Sequence, residues 1–415
     1  MIWSNGSPGP THRPHSALAT IDAPDGRGRS GSTQALFVCV LALMLATGWV
    51  ANHFVALMPL ISDNQHLGAA TLDAIFAIYA VGLLPGLLIG GRASDALGRQ
   101  SVALAGSTTA LVGTMAMLLS QQTDMLLVGR LIVGLGVGLA MTSCTAWASD
   151  LKGPAGAAAA GTVLTAGFAV GPFAAGAIAW AGQPGIRVSF GVAAAIVMAA
   201  TFAAIVTAQR VSVTAPTTAD DAAPSTPARQ GTARALSWAL PLAPWVFASA
   251  TLGFVTIPTR VHTGLAAPMA AGTATLMVNG VSGVIQLVAR ASKWGPRAGT
   301  AGAVLAALGY AVTAVTPPTI TPALGLALFL VLGCASGLLL REGLIDLEAA
   351  APRRLRGVLT GLFYVVTYIG FGLPLILTTV RPAVSAMILF VMALLASAAA
   401  VGRAARLRRH GHRQN

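Results

Sequence analysis

Charge is what this sequence has least of. Only 9% of its 415 residues are Asp, Glu, Lys or Arg, against roughly 25% in ordinary soluble domains, and just two are lysines, Lys152 and Lys293. With a hydrophobic fraction of 55% and a mean hydropathy of +0.76, that scarcity excludes a soluble globular chain. Neither lysine follows a glycine or precedes Ser or Thr, which excludes a Walker-type phosphate loop and ATP hydrolysis by that route. No HExxH sequence occurs, and Cys39, Cys144 and Cys334 are odd in number, far apart and inside apolar runs, without metal-ligand spacing. No metal and no cofactor are therefore expected, and the cysteines read as small packing residues. The polar residues inside the apolar runs are too dispersed to gather a nucleophile with acid and base groups, so an enzyme is not expected either.

Long apolar runs are abundant. A bilayer core takes about 20 apolar residues per helix, and twelve such runs follow one another. Strands of a membrane barrel would instead alternate in polarity over about 10 residues. The class is an all-α membrane protein. Residues 1–33, rich in Gly, Pro, Ser and Thr, read as a disordered tail; the first run, 34–61, is too long for a secretory signal core. Six spans fill 34–208, a linker without periodicity covers 209–235, six more fill 236–402, and a basic tail, 403–415, closes the chain. Two six-helix bundles are expected.

The net charge of +13 follows topology and does not call for nucleic acid. With the amino terminus inside, twenty Lys and Arg fall on the inner side, and only Arg187, Arg260 and Arg381 fall outside. Positive charge marks the cytoplasmic side, so both termini are expected there.

Three stretches carry the chemistry. In "GGRASDALGRQ", after the second run, Gly90 and Gly91 let the chain leave its helix and Asp95 favours the positive start of the third span, with Arg99 four residues on. "RASKWGPR" at 290–297 repeats it at the same place in the second half. In the fourth span, "GRLIVGLGVG" places Arg130 about 9 Å inside the run, which costs some 2.5–3.5 kcal/mol, while Gly134 and Gly138 make a face for close packing. In the fifth, "GFAVGPFAAG" sets Gly167 and Gly171 beside Pro172, which bends the helix.

Together these stretches resemble the signatures of the major facilitator superfamily. Gly91, Asp95, Gly98 and Arg99 match its cytoplasmic loop, with Ala96 and Gln100 where basic residues are usual. The Arg130 stretch is similar to the signature associated with proton coupling, and the Gly167–Pro172 stretch to the one enriched in exporters, with Ala175 replacing a glycine. The resemblance implies the superfamily's fold of six plus six helices in a bacterial inner (plasma) membrane. It further implies a small-molecule substrate, a proton gradient as drive, alternating access, and a latch from Asp95 to the 356–361 region.

The remaining polar residues in the spans are few. Asn52 and His53 lie in the first, and His titrates near neutral pH, so His53 joins Arg130 as a proton-coupling candidate; a structural, hydrogen-bonded histidine fits equally well. Asp73 reads as a helix-start residue. Asn279 and Gln286 in the eighth span face a cavity or a neighbouring helix. Glu342 and Asp346 share a face at the end of the tenth span, need cationic partners from Arg341, Arg353, Arg354 or Arg356, and are expected to form an inner gate. Efflux of small amphipathic compounds is the leading expectation. Import or facilitated passage of a sugar or other metabolite is the alternative, supported by the lack of an acidic residue in the first span.

Overall fold

The computed structural model describes residues 26–210, 228–352 and 355–411. Most of the expected first tail, the middle of the linker, Arg353, Arg354 and the last four residues lie outside them. Twelve helices among the described residues are long and apolar enough to cross a bilayer: α1 (Gly31–Gln65), α2 (Ala69–Leu97), α3 (Arg99–Leu119), α4 (Thr123–Gly153), α5 (Ala155–Ala179), α6 (Gln183–Gln209), α7 (Gly231–Arg260), α8 (Ala267–Ala291), α9 (Arg297–Val315), α10 (Pro322–Ala350), α11 (Val358–Thr379) and α12 (Pro382–Arg409). The shortest has 19 residues, about 28 Å at helical rise, enough for the hydrocarbon core. Helical structure also reaches beyond the apolar runs, from Gly26 before α1, from Ala228 before α7 and to Gly411 after α12. Extending a formed helix costs little beside starting one, so parts of the expected tails and linker are helical.

Spans alternate in direction, so the connections gather at two ends. The basic end holds the turns at Gly98 and Gly153 and the loops near Lys293 and Ala351; the sparse end holds those near His66, Gly182, Gly264 and Val380. The chain does not leave α2 at Gly90 and Gly91, as the sequence suggested. Helix continues to Leu97, and the turn is made by Gly98 at φ +91°, a conformation open to glycine and strained for other residues. Asp95 consequently lies in the last turn of α2 and not at the start of α3. Gly153, at φ +64°, makes the equivalent turn between α4 and α5.

Glycine faces bring helices into backbone contact. A Cβ added to Gly134 or Gly138 of α4 would collide with the carbonyl oxygens of Tyr79 or Leu83, and one on Gly82 or Gly86 of α2 with those of Leu131 or Leu135. Lipid tails supply no hydrophobic drive between helices, so close van der Waals packing of this kind holds them together. Gly167 and Gly171 act in the same way toward α1, lying against Gly48 and Trp49.

The two halves meet chiefly toward the sparse end. Gly272 of α8 abuts the Pro172 carbonyl of α5, and Gly176 of α5 abuts the Pro268 carbonyl. Phe76 of α2 stacks on Phe371 of α11, with ring centroids 5.1 Å apart and planes within 10°. Thr378 of α11 donates a hydrogen bond to Asp73 of α2 at 2.9 Å.

Candidate functional site

Arg130 is wholly buried, and its charge has an aromatic enclosure instead of a carboxylate. Its guanidinium carbon lies 4.5 Å from the Tyr79 ring centroid, 4.9 Å from Phe54 and 6.0 Å from Phe76. A desolvated cation over such rings gains up to about 2 kcal/mol from each good contact. Nη1 donates to the Ala51 carbonyl at 2.9 Å. Nε and Nη2 have no hydrogen-bond partner among the described residues, and neither has the Tyr79 hydroxyl beside them. The site therefore holds a positive charge and spare donors in a region of low dielectric.

Arg130 reaches α1 beside His53, where the helix runs on without interruption: His53 keeps helical dihedrals, φ −56° and ψ −29°, and its backbone N–H bonds the Trp49 carbonyl at 2.9 Å. The His53 Nδ1 lies 3.2 Å from both the Trp49 and the Val50 carbonyl oxygens, so its side chain shares the acceptors of the helical ladder. Because both neighbours are acceptors, Nδ1 carries the hydrogen and Nε2 is left as the basic nitrogen. Nε2 is buried without a partner among the described residues, as is the indole N–H of Trp49 one turn earlier. The imidazole meets Phe190 of α6 edge-on at 5.3 Å.

Beside this part of α1, α5 offers an acceptor that its own proline creates. In a helix the carbonyl of residue 168 would bond to the N–H of residue 172, but Pro172 has none. The Phe168 carbonyl instead accepts from Asn52 Nδ2 at 3.3 Å and Asn279 Nδ2 at 3.2 Å. Two asparagines that the sequence placed 227 positions apart, one from each half, thus converge on one oxygen. The export-type stretch, the polar residue of α1 and the polar residue of α8 form a single junction.

The other candidates lie elsewhere. Gln286 bonds the Ser282 carbonyl of its own helix at 3.1 Å. Asp95 is 67% exposed and paired with Arg99, which also donates to Ser94 at 2.8 Å and to Asp150 at 3.2 Å. Among the described residues Asp95 pairs with Arg99, and the side chain at 356, where the expected latch would close, lies outside them; Leu88, two turns before Asp95, lies against Gly361. Glu342 bonds Arg341, while both Glu342 and Asp346 pair with Arg403, a residue read from sequence as the start of the basic tail. Arg403 is buried, donates twice to the Pro296 carbonyl, and lies over the Trp238 ring at 5.4 Å. This network ties α10 and α12 to the α8–α9 loop within the second half; of the expected partners, Arg353 and Arg354 lie outside the described residues. Asp73, read as a helix start, is buried between the halves.

Residues 36–374 match the family model described as Major Facilitator Superfamily. The chain belongs to the major facilitator superfamily. Its twelve membrane-length helices accord with the expected all-α fold of two six-helix bundles. Among curated superfamily proteins it is similar to the multidrug resistance protein MdtL of Shigella flexneri serotype 5b, 28% identical over 101 residues covering 24% of this chain and 26% of that protein. The Citrobacter koseri MdtL is 31% identical over 103 residues, with the same coverage. The chain thus matches about a quarter of the length of these relatives. Among solved structures, a crystal structure of a mutant POT peptide transporter superposes with a TM-score of 0.74 at 14% identity, covering 94% of this chain and 99% of that one. The POT family transporter PepTSo gives 0.70 at 12% identity, covering 91% and 98%. At such identity the likeness is one of fold alone.

Proposed function

We propose that this chain is a proton-coupled exporter of small amphipathic compounds that works by alternating access, with its basic end and both termini on the cytoplasmic side of a bacterial inner membrane. The observation that carries the reading is that a buried Arg130 and a buried His53 Nε2, neither satisfied by the other, lie together inside the first bundle. A proton taken up by Nε2 sets a second positive charge near a guanidinium that, among the described residues, has no carboxylate partner. Arrangements of the two halves that hold these charges differently are then populated differently, and such a difference is what a coupling ion must supply. The Phe168 junction supplies the moving part. Asn279 leaves with the second half when the halves separate, and the carbonyl and Asn52 are then exposed to a substrate. The partial likeness to MdtL and the export-type α5 stretch support the outward direction.

The test is expression in an efflux-deficient bacterial strain against a panel of amphipathic inhibitory compounds, with and without a protonophore. Raised tolerance and lowered accumulation that a protonophore abolishes are expected. Accumulation that rises with expression, or passage indifferent to the protonophore, replaces this reading with the importer or facilitator.

A further inference from the structure

A second cavity, apart from the Arg130 site, opens at the sparse end between the halves. It has a volume of about 600 Å³ and is lined by the ends of α1, α2, α7, α8 and α11, within the size range of sites for drug-sized ligands. Met58, Leu72, Phe254 and Val255 give it apolar walls, and neither Lys nor Arg lines it. That is unusual in a chain with 25 basic and 12 acidic residues. Its charged groups are Asp73, buried in the wall, and Asp63, exposed at the mouth; His262, also exposed, completes the titratable set. Arg260, nearby in sequence, turns its guanidinium toward the Thr313 carbonyl.

Two polar features of the wall are incomplete. Thr378 satisfies only the Oδ2 oxygen of Asp73, and no hydrogen bond from the described residues reaches Oδ1. Thr256, more than nine-tenths buried and lining the same cavity, has a hydroxyl with no partner among the described residues. A buried hydroxyl left unpaired is destabilising, so a group that satisfies both atoms is favoured there.

We propose that this vestibule is a binding site for a protonated primary or secondary amine carrying an apolar body. The ammonium bonds Asp73 Oδ1 and the Thr256 hydroxyl, and the body lies on Met58, Leu72, Phe254 and Val255. A quaternary ammonium has no N–H for either acceptor, and an uncharged amide gives Asp73 no counter-ion. The site stands apart from the Arg130 junction and does not depend on the direction of transport or on proton coupling.

The test uses the full chain in lipid nanodiscs at fixed pH, with dansylcadaverine, a fluorescent primary amine, as probe. Its N-acetyl and N-trimethyl derivatives are the controls. Saturable fluorescence enhancement is expected, with the amine bound more tightly than either derivative. Asp73→Asn, which can still accept from Thr378, is expected to weaken amine binding about tenfold or more and to leave the N-acetyl compound unchanged. Thr256→Val is expected to weaken the amine several-fold without affecting the trimethyl compound, and Asp63→Asn to change the affinity less than Asp73→Asn does. Elution as a monodisperse peak on size-exclusion chromatography is required of each variant. Absence of saturable binding, equal affinity for the three compounds, or indifference to Asp73→Asn in a well-folded sample overturns the proposal. Failure of proton-coupled efflux in cells leaves these binding results standing.

Discussion

Replacing Asn279 with alanine removes one of the two donors to the Phe168 carbonyl and leaves Asn52 in place, so no buried acceptor is orphaned. The loss is that of a neutral hydrogen bond, about 0.5–1.5 kcal/mol net. It falls on the arrangement in which α5 and α8 touch, and it shifts the ratio of joined to separated halves roughly two- to thirteenfold. Spin labels at exposed Gln65 and Thr319, with Cys39, Cys144 and Cys334 replaced by serine, report that ratio as two populations of distance. The decisive comparison is the same substitution in a Pro172→Ala background. There the restored N–H of residue 172 takes the Phe168 carbonyl, Asn279 has lost its acceptor, and Asn279→Ala is expected to change little. A coupling of about 1 kcal/mol between the two sites follows. If Asn279→Ala shifts the distances equally in both backgrounds, the proline-freed carbonyl is not what joins the halves.

Arg403→Ala removes the cation shared by Glu342 and Asp346 and leaves Glu342 with Arg341, and breaking a buried pair costs up to about 3–5 kcal/mol; thermal unfolding of the purified chain should show the loss, partly restored by Asp346→Asn. Arg130→Lys keeps the charge and gives up the planar contact with Tyr79 and Phe54, so flux per inserted molecule should fall while insertion is unchanged. Gly134→Val places a branched side chain against the Tyr79 backbone, and monodisperse protein on size-exclusion chromatography should be lost, since overpacking of about 1–3 kcal/mol here meets rigid helix. Asp95→Asn removes a partly exposed ion pair with Arg99 worth at most about 1 kcal/mol; insertion and thermal stability should hold while transport falls.

The number of spans, their grouping and the burial of Arg130 were legible because each follows from composition along the chain. Length and hydropathy mark a span, and an arginine inside one is conspicuous by its cost. The Phe168 junction was half legible. Asn52, Asn279 and Pro172 each stood out, but their meeting point is a backbone carbonyl, which no side chain marks; the available signal was the position four residues before a mid-helix proline. Asp73 and Arg403 were misjudged for a common reason. Both lie near the ends of apolar runs, where a charge reads equally as a cap or the start of a tail, and only the packing of a distant helix decides otherwise. For Asp73 that helix is α11, and for Arg403 it is α10 together with the α8–α9 loop. Gln286 was conspicuous for its polarity, yet its own helix satisfies it.

The most direct test of the account is transport in proteoliposomes of the compound whose export expression most strongly promotes, with a pH gradient imposed in either direction and then collapsed. The account predicts movement against the compound's own gradient only while protons run the opposite way, and loss of that uphill movement, with downhill exchange retained, in His53→Gln. Uphill transport that persists without the pH gradient, or that His53→Gln leaves intact, contradicts it.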